Sequence, residues 1–478
     1  MAKGYEIFLL LLQNPGFRAT LKQQKSLKIM SSPSNIDPNA VDLISELPES
    51  LLLHLLSFLP IEDAVKTQVL SKRWEYLWTH LTSLVFRLLV SDSSDKYVGD
   101  FVTFIDRTLF LSSCSKLKKF GVQFAYEPQY ASNVDLWTRF ATEKKGAEEL
   151  LLDFLNERNE VEYLLPQHLY TNSSFKALKF SVCTVMPKGV VCWNSLKKLT
   201  LGWVNLSEDV IQKILVGSPV LEILELYYFC GFNRLHVSNA NVKKLILRNV
   251  WDRDEEEEEH RFDEYHSVLE VSAPHLHSLE ILGGLCNKFC RLGDISSLVD
   301  ANLNFCTDIY SHGPDDDYDR YPNMLKEILQ SIVHVKKITL GTKYDGSKRI
   351  ALSTVGLCGP GWLMCLFLAA FFSSILVFFS HKLTELHNFD EKSYWTSNKK
   401  PFKCLMLHLQ DVKFIGVGSY GFDFHLSFAQ FLLKNARVLQ KMVIGPKMKS
   451  CNWPEEFVRA ARKLLSFSRS SPNAVVLF

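Results

Sequence analysis

The chain has 478 residues, 47% of them hydrophobic and 22% charged, with a formal net charge of +2. That length supports two or three domains and a sizeable core, and a balance so near neutrality argues against broad electrostatic binding to nucleic acid. The eleven cysteines follow no repeated spacing, which fits reduced buried thiols of the cytosol or nucleus. In that setting the acceptor sequons at Asn172 and Asn205 carry no glycan. The apolar run at residues 7 to 12 is too short for a signal peptide and is broken by Gln13, Asn14 and Pro15. Residues 18 to 28 are basic, and an organelle-targeting helix is the lesser reading of them. The polar stretch SSPSNIDPNA after Met30 reads as a disordered lead-in, so residues 1–38 are expected to be a dispensable extension.

Residues 42–86 predict three short helices. Leu51, Leu52, Leu55, Leu56 and Leu59 make a wide apolar stripe on the first, which Pro48 and Glu49 open. Pro60 ends it; Ile61 to Leu70 offers the second. Ser71 is an N-cap for a third, Lys72 to Trp78, with Trp74 and Trp78 four residues apart on one side. So short a segment has little room for a closed core, and a stripe this broad points to a partner protein.

Leu47-Pro48, the Leu-rich helix, Phe58-Leu59-Pro60, Asp63-Ala64-Val65 and Val69-Leu70-Ser71-Lys72-Arg73-Trp74 closely resemble the F-box of large plant families. One departure is Leu43, where those families carry Arg. The resemblance implies docking on a Skp-type adaptor, and through it on a cullin–RING ubiquitin ligase. The contacts it implies are Leu47, Pro48, Leu51, Leu52, Leu55, Leu56, Val69 and Leu70, with Trp74 and Trp78 holding the helices together. The alternative is an ordinary three-helix subdomain packed on its own chain.

Beyond the F-box one phrase recurs: an apolar residue, two others, then apolar-x-apolar. It appears as Leu117-Phe120-Val122, Ala147-Leu150-Leu152, Phe175-Leu178-Phe180, Leu196-Leu199-Leu201, Leu221-Leu224-Leu226, Val242-Leu245-Leu247 and Leu276-Leu279-Ile281. Later copies are Val335-Ile338-Leu340, Phe402-Leu405-Leu407 and Leu439-Met442-Ile444, with Leu298-Ala301-Leu303 degenerate. The period is that of leucine-rich repeats, in which each unit supplies one strand and stacking buries a continuous core. Leu206 to Val216 reads as a return helix or an irregular arm. The fold class expected is α/β: an F-box at 39–86, then a leucine-rich-repeat solenoid over 95–349 with a parallel sheet on its inner side.

Residues 350–380 contain no charged side chain, and Trp362 to Phe379 approaches the length of a membrane-spanning helix. Three readings compete: a mis-spliced insert whose removal restores the repeat spacing, a buried helix, and a membrane anchor. Residues 402–478 resemble the FBD domain of one plant F-box subfamily, with a helix Phe428 to Asn435, a strand Lys441 to Ile444 and a closing helix Phe457 to Leu465. Residues 381–478 are therefore expected to hold the last repeats and an α/β cap.

No nucleophile elbow, phosphate loop, zincin helix or dinucleotide fingerprint occurs, so no catalytic residue, metal or cofactor is expected. Cys286 and Cys290 near His275 and His277 lack a zinc spacing and read as core thiols and turn histidines. The acidic run Asp252, Asp254, Glu255 to Glu259 and the cluster Asp315 to Asp317 read as solvated loops, with a dock for a basic target the alternative. Trp193, Trp203, Tyr227, Tyr228 and Trp251 either fill the core or anchor a target. The expected function is non-enzymatic: a substrate receptor of an SCF-type ubiquitin ligase in cytoplasm or nucleus. The alternative is a non-ligase interaction protein with a degenerate F-box, anchored to a membrane through 362–379.

Overall fold

Pro48 and Pro60 set the starts of two short helices. Pro48 occupies the N-cap of α1 (Glu49–Leu56), where its carbonyl accepts from the Leu51 and Leu52 amides. Pro60 does the same for α2 (Ile61–Lys66). The computed structural model describes residues 47–88, 95–155, 162–250, 268–285, 289–307, 324, 327–328, 331–332, 335–340, 375–379, 409–417, 429–430, 432–446 and 455–477. The chain divides into two compact units, one of Met1–Lys188 with Cys192–Leu196, the other of Gly189–Val191 with Lys197–Phe478.

In the first unit α2 passes into a 3-10 turn, Thr67–Val69. The third helix expected from Lys72 to Trp78 is absent: a run of turns leads to a 3-10 helix, Leu77–His80. Tertiary burial overrides helix propensity here, because both Trp74 and Trp78 are sunk into the core and the Arg73 guanidinium reaches back to the Leu47 carbonyl at 2.6 Å. The chain then forms β1 (Ser83–Arg87), α3 (Asp95–Leu111), β2 (Lys119–Ala125), α4 (Ala131–Arg139), β3 (Glu149–Leu155), β4 (Tyr163–Leu164), α5 (Gln167–Tyr170), β5 (Ala177–Ser181) and β6 (Cys183–Thr184). Strands β1, β2, β3 and β5 pair in that order, all parallel, and β4 pairs with β6. On α3, Val98, Phe101, Val102, Ile105 and Leu109 form the buried stripe.

The second unit contributes β7 (Lys198–Asn205), α6 (Glu208–Val216), β8 (Ile223–Cys230), β9 (Arg234–His236), β10 (Lys244–Val250), β11 (Val268–Ser272), β12 (Ser278–Leu285), β13 (Phe289–Leu292) and β14 (Asp300–Thr307). It continues with β15 (Lys337–Leu340), β16 (Ile375–Phe379), β17 (Asp411–Val417), β18 (Lys441–Pro446), α7 (Glu455–Leu465) and β19 (Val475–Leu477). Its parallel ladder runs β7-β8-β10-β12-β14-β15-β16-β17-β18-β19, beside a smaller sheet β13-β11-β9. The long segment Leu206 to Val216 contains helix α6, whose N-cap Ser207 accepts from the Val210 amide.

The repeated phrase is the register of both ladders. Leu84, Phe120, Leu150 and Leu178 are successive partners, as are Phe86, Val122, Leu152 and Phe180. In the second unit Leu199, Leu224, Leu245, Leu279, Ala301 and Ile338 are successive partners in register, as are Leu201, Leu226, Leu247, Ile281, Leu303 and Leu340. The degenerate copy is thus a true rung. Several rungs share one carbonyl between two amides of the next: Glu148 O accepts from Lys176 N and Ala177 N, and Lys197 O from Glu222 N and Ile223 N. This satisfies the backbone where the chain enters those strands.

Phe402-Leu405-Leu407 lies outside the described residues; the rung described after it has Leu409 and Val412 buried, with Val412 opposite Met442 and Phe414 opposite Ile444. Two features of the repeats differ from expectation. An uncounted copy, Leu81-Leu84-Phe86, leads into β1 inside the stretch assigned to the F-box. The last five residues of the proposed membrane span, Ile375–Phe379, form β16, hydrogen-bonded between β15 and β17. An apolar Ile-Leu-Val-Phe-Phe run is compatible with a strand as well as with a helix, a choice hydropathy cannot make. The rest of 350–380 lies outside the described residues, and among those described no helix is long and apolar enough to cross a membrane.

Helical residues lie at 429–430 and 432–435, ahead of β18 and α7, which follows the helix–strand–helix order expected for the C-terminal region. At the end of α6, a Cβ on Gly217 would lie 2.3 Å from the Val191 carbonyl oxygen. Gly217→Ala is therefore expected to destabilise the protein by about 1–3 kcal/mol, read as a lowered denaturant midpoint at unchanged slope.

Charged residues at the strand entrances pair across rungs. Glu148 accepts from Lys116 at 2.6 Å and from Lys176 at 2.7 Å, and these two ammonium groups hold its carboxyl down to about 2. A depressed folded-state value stabilises above the ordinary carboxylate range, and this contribution is lost as pH falls from 4.5 toward 2. The stability gap between the native chain and Glu148→Gln should accordingly be smaller at pH 3 than at pH 5 in denaturant titrations.

Candidate protein-docking faces

The N-terminal helices split the expected contact residues into two groups. Leu52, Leu55 and Leu56 are buried, so that side of α1 belongs to the core of its own unit. Leu47, Leu51 and Leu70 are half-buried, while Pro48 is exposed and Val69 is 63% exposed. The apolar stripe read from sequence therefore has an inner half and an outer half. Arg73, through its bond to Leu47 O, ties the start of α1 to the Ser71-Lys72-Arg73-Trp74 turn. The expected contact set leaves out Tyr76, 63% exposed, and the half-buried Leu53, Phe58 and Leu59, the last two of which the sequence singles out without giving them a contact role. Phe58 is steadied by an edge contact with His54, 4.8 Å between ring centres. Apolar side chains left in water on one small subdomain suit a protein partner.

A second face lies on the ladder of the second unit. Its outward rows carry ion pairs across neighbouring rungs: Arg248 Nε donates to Glu225 Oε1 at 2.9 Å, and Lys244 reaches Glu280 at 2.6 Å. Beyond the phrase of four successive rungs the backbone turns left-handed, with φ of 50° at Trp203, 48° at Tyr228, 50° at Asn249 and 80° at Gly283. Glycine and asparagine suit that conformation; Trp and Tyr do not, at a cost of about 1–2 kcal/mol each. Their rings stack 4.0 Å apart and 12° from parallel, offsetting about 0.5–1.5 kcal/mol of that strain. Trp203 remains 44% exposed. The Tyr227 ring lies where a Cβ on Gly202 would be, so only glycine fits beneath it.

Trp193 is no anchor: it is fully buried, stacked on Tyr170, and its indole N–H donates to Leu169 O at 2.7 Å. Trp251 and both acidic runs lie outside the described residues. So does Cys286, while Cys290 is buried and its thiol is pushed up to about 12 by desolvation. His275 and His277 are exposed, and among the described residues no three His, Cys, Asp or Glu side chains are grouped to hold a metal.

Comparison with known proteins matches three families. The F-box domain family matches residues 44–86, the leucine-rich repeats of FBD-associated F-box protein At5g56370 match 134–296, and the FBD family matches 397–444. F-box protein At5g03100 of Arabidopsis thaliana is 30% identical over 326 residues, 67% of this chain and 94% of the relative. F-box/LRR-repeat protein At5g02910 of the same plant is 32% identical over 333 residues, 67% of this chain. The chain spans only 64% of that relative's length. F-box/FBD/LRR-repeat protein At1g13570, also from Arabidopsis thaliana, is 25% identical over 91% of this chain and 98% of its own.

Proposed function

The chain belongs to the plant F-box/FBD/leucine-rich-repeat family, and from that premise we propose that it is the substrate-recognition subunit of an SCF-type cullin–RING ubiquitin ligase. Residues 39–86 dock a Skp-type adaptor, the repeats hold a target, and residues 381–478 supply the last repeats and an FBD-like cap. The observation that carries the reading is the outer half of the F-box stripe: Pro48 and Val69 exposed, Leu47, Leu51 and Leu70 half-buried. Leu52, Leu55 and Leu56 support that face from beneath and do not touch the adaptor.

The protein contributes no bond-making group of its own. Its contribution is proximity: a target held on the ladder presents its lysines to the ubiquitin-carrying enzyme at a raised effective concentration. The exposed Trp203, stacked on Tyr228, is the target anchor, since aromatic side chains dominate interface energetics and this pair is held at a cost in backbone strain. Cytoplasm and nucleus are the compartments in which such a ligase works. The test is co-purification of the full chain with a purified Skp-type adaptor, cullin and RING subunit. Retention of all three supports the assignment, and a folded chain that retains no adaptor overturns it.

A further inference from the structure

The residues that end the F-box match also begin the strand ladder. Leu81, Leu84 and Phe86 are buried, and β1 pairs in parallel with β2 across five residues, Ser83 opposite Lys119 through Arg87 opposite Gln123. Thr82 O accepts from Lys118 N at 2.7 Å and Lys119 N at 3.2 Å. That is the same shared-carbonyl joint Lys118 O makes with Glu148 N and Glu149 N one rung on. Just upstream, Thr79 O takes the Ser113 and Cys114 amides. The Phe86 ring meets Phe104 of α3 and Phe120 of β2 edge-on, at 5.9 and 6.2 Å. Helix α2 packs on β1, and α1 on the 3-10 helix Leu77–His80. No linker separates the two parts: the chain passes from a buried Trp78 to a buried Leu81 and directly into the strand.

A parallel ladder cannot begin on a bare strand, because a terminal rung leaves one side of the core and one row of backbone groups uncovered. We propose that the F-box is the N-terminal cap of this ladder and folds with β1, β2, β3 and β5 as one cooperative unit, so that adaptor occupancy and ladder stability form a single linked equilibrium. A partner that binds only the folded cap stabilises everything that unfolds with it, and by reciprocity damage to the ladder weakens the partner's hold. The linkage to the adaptor rests on the docking function proposed above; the capping role does not.

Hydrogen exchange on the full chain tests the two halves separately. Without adaptor, Leu52→Ala in α1 should accelerate exchange at Lys119–Ala125 and Glu149–Leu155 at least about thirty-fold, in step with the amides of 49–80. Ile61→Val in α2 is the milder variant, should the first fail to fold, and its expected acceleration is about three- to tenfold in the same two strands. Acceleration confined to 49–80 in either variant overturns the cap. With purified Skp-type adaptor at a hundred times its dissociation constant, exchange in those strands should slow about a hundredfold. Protection limited to the F-box overturns the linkage. An adaptor that does not bind removes the docking function and leaves the cap to be judged by the first arm.

Discussion

Val69→Asp in the full chain should leave the fold intact and weaken capture of a Skp-type adaptor by about thirty-fold or more, whereas Leu52→Asp should unfold the first unit. The two residues belong to the same subdomain and differ in burial. Val69 is 63% exposed, so a carboxylate there stays hydrated in the free chain and is stripped of water only when the adaptor covers it. Loss of a central apolar contact alone is worth about 2 kcal/mol or more at a hot spot, which sets the thirty-fold estimate. Leu52 has no exposed surface, and an unpaired carboxylate in that position has no solvent and no partner. Far-ultraviolet circular dichroism with thermal melting separates the outcomes. Equal adaptor binding by Val69→Asp would place the docking face elsewhere.

Leu409→Ala is expected to destabilise the second unit by about 2–5 kcal/mol, the range for emptying a fully buried leucine site. This position opens the rung of β17, with Leu409, Val412 and Phe414 at the spacing of the recurring phrase. The prediction thus tests the register, and equilibrium unfolding in urea monitored by tryptophan fluorescence checks it. An unchanged midpoint would mean that the pairing of Val412 with Met442 does not describe the folded ladder.

These two sites mark where the sequence was legible and where it was not. The apolar-x-x-apolar-x-apolar phrase specified strand and register together, because alternate residues of a strand share a face and a one-residue slip would turn every leucine outward. Leu81-Leu84-Phe86 obeys the same rule but sits within the F-box resemblance, which claimed those residues first. The Ile375–Phe379 strand was obscured because a long uncharged run is as compatible with a strand as with a helix in lipid. On α1 the leucine spacing identifies an apolar stripe without saying what covers it, so Leu52 and Leu51 look alike in sequence and differ in burial. The left-handed backbone at Trp203 and Tyr228 had no sequence signal at all, since neither residue type favours it; Gly283 at the equivalent position did.

Titration calorimetry of the purified full chain against a purified Skp-type adaptor reads the docking step itself. A saturable one-to-one complex is expected, with Val69→Asp shifting its dissociation constant upward while the unfolding transition stays where it was. A chain that melts cooperatively yet gives no binding heat at any temperature across a wide range would contradict adaptor docking.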